Sequence, residues 1–266
     1  MKSQKQSSNF QLDKWYLDCI TDSGQTVIGY SAELEWKSFT ISYASYLAFD
    51  GKQAPYSKTS LFREHPPKAT IEGITWNSNG LSCGGHWKPL QAKFPTPLTL
   101  YQDKSGSVIW HCLQPLCEVD VTLDGNNYTG LGYVERLKMS IEPWHLPIKE
   151  LRWGRFLSKD TCLVWIEWRG PKPLTLVYLN GIELDNVNVT DFLLSWDKGH
   201  LALCDQVVLR NGPLVKTALA KIPGVRSLFP GSVCQMKECK WRSAGELLHK
   251  GQSFKGWAIH EIVQFA

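Results

Sequence analysis

The sequence predicts an antiparallel all-β protein, and three observations predict it. Runs rich in β-branched and aromatic residues recur along the whole chain. Turn pairs of the hairpin type fall between them. Helical periodicity is scarce, and only 214–221 and 243–249 suit a short helix.

Taken in order, the predicted strands begin with TVIGYSAELEW (26–36), FTISYASYLAF (39–49) and ATIEGITW (69–76). LTLYQ (98–102), SVIWHCL (107–113) and CEVDVTL (117–123) follow, and the run from Tyr133 alternates to Met139. The second half contributes TCLVWIEW (161–168), LTLVYLN (174–180), HLALCDQVVL (200–209) and GWAIHEIVQF (256–265). Turns are expected at Asp22-Ser23-Gly24, Asp50-Gly51, Asp124-Gly125, Asn180-Gly181 and Asn211-Gly212.

The halves echo each other. Trp15 precedes a polar turn and an aliphatic strand, and Trp153 precedes Ser158-Lys159-Asp160 and another. Gly132-Tyr133-Val134-Glu135 is matched near the end by Gly256-Trp257 with Glu261, which shares its parity with Trp257, Ile259, Val263 and Phe265. Two β units are therefore expected, residues 1–142 and 143–266, with Pro143 and Pro147 stiffening the junction.

Composition narrows the class. Of 266 residues 43% are hydrophobic and 20% charged, which describes a folded globular chain. The net charge of +4 is mild and carries no Lys/Arg block, so nucleic acid is not an expected partner. No run approaches the ~18 apolar residues of a membrane span, and MKSQKQSSNFQLDKW lacks the apolar stretch of a secretion signal, so a cytoplasmic protein is expected. Eight cysteines in such a chain read as reduced, mostly buried thiols. Cys112/Cys117 and Cys234/Cys239 lack the spacing of zinc ligands, and no metal is expected. Twelve tryptophans suit an aromatic β core or a pocket for an apolar ligand.

One stretch carries a chemical question. From Tyr133 to Met139, Tyr133, Glu135, Leu137 and Met139 share one face of a strand, and Val134, Arg136 and Lys138 the other. Leu and Met seek burial while Arg and Lys seek water, so Glu135 is carried inward. An interior carboxyl must be paired, protonated or hydrogen-bonded. Arg155, on the parity of Trp153, is a candidate partner for it, and that pair would lower the carboxyl pKa.

WYLDCITDSGQTVIGY, LGYVERLKMSIEPW and IKELRWGRFLSKDTCLVWIEWRGP resemble the lipocalin-like superfamily of carotenoid 1,2-hydratases (hydroxyneurosporene synthases) and AttH-type proteins. The resemblance implies two lipocalin-like antiparallel β-barrels in tandem, a hydrophobic, polyisoprenoid or polyketide-like ligand, and no cofactor. It also implies acid-initiated hydration or cyclisation. The proton donor of the hydratases is the acid of a Tyr-x-Asp strand, matched here by Tyr133 and Glu135. Their His-x-Trp strand is matched only in Trp110, because Val108 stands where the His would be and His111 falls on the other parity. Trp110, His111, Trp153 and Arg155 are the expected substrate-binding residues.

A neutral carboxylic acid in a dry pocket, facing aromatic rings that stabilise a carbocation, is chemically coherent. A non-catalytic carrier of the same kind of ligand is the competing reading, and a carbohydrate-binding β-sandwich is disfavoured by the inward parity of several tryptophans. A hydrophobic ligand leaves transient contact with a membrane surface open. The oligomeric state is not fixed by the sequence.

Overall fold

The computed structural model describes residues 10–61, 64–91, 94, 97–216 and 230–265. The first sheet holds β1 (Phe10–Ile20), β2 (Thr26–Trp36), β3 (Phe39–Phe49), β4 (Tyr56–Ser60), β5 (Lys68–Ala69), β6 (Ile74–Ser78), β7 (Cys83–Pro89), β8 (Leu98–Asp103), β9 (Gly106–Leu123) and β10 (Asn126–Met139). The second holds β11 (Glu150–Ser158), β12 (Thr161–Arg169), β13 (Leu174–Leu179), β14 (Ile182–Glu183), β15 (Asn188–Val189), β16 (Leu193–Trp196), β17 (Gly199–Pro213), β18 (Lys237–His249) and β19 (Gln252–Gln264). All pairings are antiparallel, and a 3₁₀ turn at Pro143–His145 separates the sheets.

The two sheets share one wiring. Their orders are β4-β3-β2-β1-β10-β9-β7-β6-β5, with β8 beside β9, and β14-β13-β12-β11-β19-β18-β17-β16-β15. In each, the first strand pairs with the last, as in an up-and-down barrel, and among the described residues the ring stays open between the fourth and fifth strands. The chain is thus two lipocalin-like β units in tandem. Superposing the wirings equates Tyr16 with Trp153, because each faces the half-buried Glu of the returning strand: Tyr16 opposite Glu135 and Trp153 opposite Glu261. The sequence echo had aligned Trp15 with Trp153, one residue out of register.

Hairpin turns form at two of the expected pairs. Asp124-Gly125 has φ of 47° and 83°, and Asn180-Gly181 of 51° and 81°, the left-handed pair that a type I′ turn demands. Four expectations need correction. Asn211-Gly212 is not a turn but part of β17, paired with Cys239 and Glu238. Residues 243–249 are strand, since Ser243, Gly245 and Leu247 are buried while Glu246 and Leu248 face out, a period of two. The run 69–76 is two strands around a turn in which the Thr70 N–H donates to the Gly73 carbonyl at 2.7 Å. Gly73 sits at φ +143° so close to β7 that a Cβ would lie 2.2 Å from the Trp87 carbonyl oxygen. Lastly, 107–113 and 117–123 are one strand running through Pro115. The register against β10 shifts twice there, at Gly132/Val134 and Val134/Glu135, and the bulge accommodates a residue with no N–H to donate. Of the expected helix at 214–221, Leu214–Lys216 is a 3₁₀ turn and the rest lies outside the described residues.

Alternation along β1 explains the packing. Trp15, Leu17 and Cys19 enter the first unit's own core with Trp76, Trp87 and Val134. Tyr16 and Ile20 point the other way, into a core shared with Trp153, Val164, Trp168 and Ile259 of the second unit. The second unit has its own core around Phe156, Leu163, Trp165 and Leu247. The central strands are therefore buried on both faces, with unbroken burial over residues 15–20 of β1 and 161–166 of β12. All eight cysteines are free thiols, five of them buried.

Candidate active site between the two sheets

Glu135 lies on β10 with Tyr16 of β1 and Cys112 of β9 as its cross-strand neighbours. Its Oε2 accepts three hydrogen bonds, from Trp110 Nε1 at 2.5 Å, the Tyr133 hydroxyl at 2.8 Å and Trp153 Nε1 at 3.1 Å. Two of these donors are indoles, which cannot accept, so Oε2 must be an acceptor and any proton the acid carries belongs on Oε1. No hydrogen bond from a described residue reaches Oε1. Burial pushes the Glu135 carboxyl above its ordinary range; the three donors and the nearby Lys14 charge pull the other way without cancelling it.

The carboxyl stays half-buried because it lines a cavity of about 160 Å³ between the two sheets. Val108, Leu137 and Met139 form the wall from the first unit, and Leu151, Ile166 and Trp168 the wall from the second. The cavity is thus a space between units. It is smaller than the roughly 300–1,000 Å³ of pockets for drug-sized ligands.

The candidate residues divide cleanly. Trp110 and Trp153 line the cavity and hold Glu135, and the fully buried Tyr133 holds Glu135 from behind. Val108 is on the cavity wall. His111 is opposite Arg136 on the other face of β9 and does not line the cavity. Arg155 does not pair with Glu135. Its Nε and Nη2 donate to Asp18 at 3.0 and 2.7 Å, its Nη1 donates to the Trp257 carbonyl at 2.9 Å, and both charged side chains are fully buried. Asp18 and Arg155 sit two residues beyond Tyr16 and Trp153, so this pair joins equivalent positions of the two units across their interface.

Two further participants stand outside the candidate residues named from the sequence. Glu261 lines the same cavity and forms an ion pair with Lys240. Burial pushes the Glu261 carboxyl up, but the Lys240 ammonium, with Lys14 and Arg210, outweighs it and the net shift is downward. The parity of the last strand had marked Glu261; nothing marked Lys240, a residue type that is rarely buried and is here 2% exposed. Among the described residues, no group of three or more His, Cys, Asp and Glu is placed to hold a metal ion. No helix among them is long and apolar enough to cross a membrane.

Paired open β units with a shared apolar core define the class: a tandem of two lipocalin-like β units. CghA, in a structure with Sch210972, is similar with a TM-score of 0.61 at 10% identity over 97% of this chain and 89% of that one. Kievitone hydratase from Nectria haematococca is similar with a TM-score of 0.55 at 9% identity over 99% and 93% of the two chains. At such identities the likeness is one of fold. No family model matches the sequence, and no curated protein is similar to it in sequence.

Proposed function

We propose that the protein is a cofactor-independent enzyme acting on a hydrophobic, terpenoid, polyene or polyketide-like substrate by acid-initiated hydration or cyclisation, with Glu135 as the acid. The observation that carries this reading is the geometry of one carboxyl group. Three donors converge on Oε2, leaving Oε1 as the oxygen for a transferable proton on the wall of an apolar cavity. Burial pushes the carboxyl towards its protonated form. Tyr133 and the two indoles orient the acid, and the rings of Trp110 and Trp153 offer electron-rich faces to a carbocation. The volume suits the reacting end of a long substrate or a small one whole. That one structural neighbour is named a hydratase and another was solved with a small molecule agrees with this reading. We place the unit boundary at 142/143, because strand pairing in the first sheet ends at Met139 and in the second begins at Glu150.

Small molecules retained by the purified protein from cell extract, identified by mass spectrometry, supply the substrate for the test. Glu135→Gln keeps the shape of the side chain and removes the proton. The variant is expected to fold, to retain the ligand and to lose turnover by ~10² or more. Full turnover in a folded variant overturns the assignment. Retention of the ligand with no conversion even by the wild type would identify a carrier.

A further inference from the structure

The cavity that Glu135 lines has fifteen wall residues, and only Glu135 and Glu261 among them can give up or take a proton. The rest are aliphatic, aromatic, Met or Pro, and the indole N–H of tryptophan donates without accepting. An acid that protonates a substrate here leaves a cationic carbon in a space with one other ionisable group.

That group is arranged as an anion. Lys240 is 2% exposed, is absent from the cavity wall and lies behind Glu261, so the ion pair turns its negative end to the cavity. Its Nζ is 5.5 Å from the centre of the Trp153 ring and 5.7 Å from that of Tyr16. Trp153 thus touches both poles: its indole N–H donates to Glu135, its backbone is opposite Glu261, and its ring faces Lys240. Arg210 adds positive charge near Glu261, and Lys14 acts on both carboxyls.

We infer that Glu261, backed by Lys240, is a second, anionic subsite of the cavity, which faces the substrate centre that becomes cationic and accepts the proton that centre releases. The inference rests on the reading of Glu135 as the acid. In the step it describes, the π pair of a substrate C=C bond takes the proton from Glu135 Oε1, and the O–H electrons remain on the oxygen. A C–H bond beside the cationic carbon then breaks, its pair forms a new C=C bond, and the proton passes to a Glu261 oxygen. Composition is conserved, so the outcome is a double-bond shift or, when another alkene closes on the cation first, a ring. Proton exchange with water returns both carboxyls to their starting states.

The test uses a charged probe and its neutral isostere, N,N-dimethylcyclohexylamine, protonated at pH 7, and isopropylcyclohexane. Glu261→Gln should weaken binding of the amine by about tenfold or more and leave the hydrocarbon within about twofold. Glu135→Gln should leave both nearly unchanged, because a neutral acid is replaced by a neutral amide. Should the Glu261→Gln protein fail to fold around an unpaired Lys240, the Lys240→Met/Glu261→Gln double variant replaces it. Carboxyl ¹³C NMR of glutamate-labelled protein, assigned with the two variants, reads the same point without a probe: the Glu261 resonance should titrate below the ordinary glutamate range and that of Glu135 above it. A Glu261 that is neutral at pH 7 overturns the inference alone. A Glu135 that is ionised at pH 7 overturns the acid reading on which it rests.

Discussion

Glu135 and Glu261 occupy the same place in two copies of one wiring, on the returning strand of each unit and opposite the aromatic residue of its first strand. Their cross-strand neighbours on the other side differ. Glu135 faces Cys112, and Glu261 faces Lys240. One carboxyl receives only neutral donors in a buried setting and is pushed up; the other meets an ammonium and is held down. Position in the fold thus brings both acids inward, and the neighbouring charges, Lys240 foremost, shift the two carboxyls in opposite directions. Equal scaffolds with unequal neighbours are a physical route to an acid and a base in one cavity.

The strongest way to disturb the comparison is to separate the units. Asp18→Asn leaves the Arg155 guanidinium buried without its counter-charge and should cost about 3–5 kcal/mol, read by chemical denaturation. Replacing both residues by leucine should recover most of that loss, since the unpaired charge goes with them. A variant with unchanged midpoint would mean the pair does not clamp the interface.

Next in size is Lys240→Met, which should make the two carboxyls alike. Glu261 then loses the charge that holds it down, and the protein should lose about 2–3 kcal/mol at pH 7. The sign follows from linkage. A depressed folded-state value stabilises the protein above the ordinary glutamate pKa of about 4.3, and that stability is lost as the pH falls through the depressed value. Lys240→Met should therefore flatten the acid limb of the stability profile. An unaltered limb would assign it to other carboxylates.

How far the site could be read from sequence follows from the same comparison. Strand parity needs only neighbours along the chain, so it found the inward faces of Glu135 and Glu261 and the extents of β2 and β3. It failed where a local signal was overridden by the sheet: Asn211-Gly212 reads as a turn but is held straight by its pairing with β18, and 243–249 carries helix-forming residues on a two-sided strand. Asp18 and Arg155 are 137 residues apart. Parity turned Arg155 inward and offered Glu135 as its partner; the docking of β1 against β11 across the interface gives it Asp18 instead. Lys240 gave no signal, because its burial depends on a carboxylate from another strand.

Smaller effects sharpen the Glu135 side. Trp110→Phe removes one donor to Oε2 and should cost about 1–2 kcal/mol while raising the Glu135 value further, since the lost hydrogen bond favours the ionised form. An NMR titration that moves downward instead would show that this hydrogen bond does not favour the ionised form. Glu135→Gln should change stability at pH 7 by less than about 1 kcal/mol, yet alter its pH dependence. With a raised folded-state value, stability falls as the pH rises from about 4.3 through that value, because the unfolded chain loses its proton first. The variant should lack this decline.

The central claim is that Glu135 is a neutral acid in a cavity between two β units, and infrared spectroscopy tests it most directly. The difference spectrum of wild type minus Glu135→Gln at pH 7 should contain the C=O stretch of a protonated carboxyl, shifted by ¹³C labelling of glutamate. Carboxylate bands in its place, with no protonated carbonyl, would contradict the account.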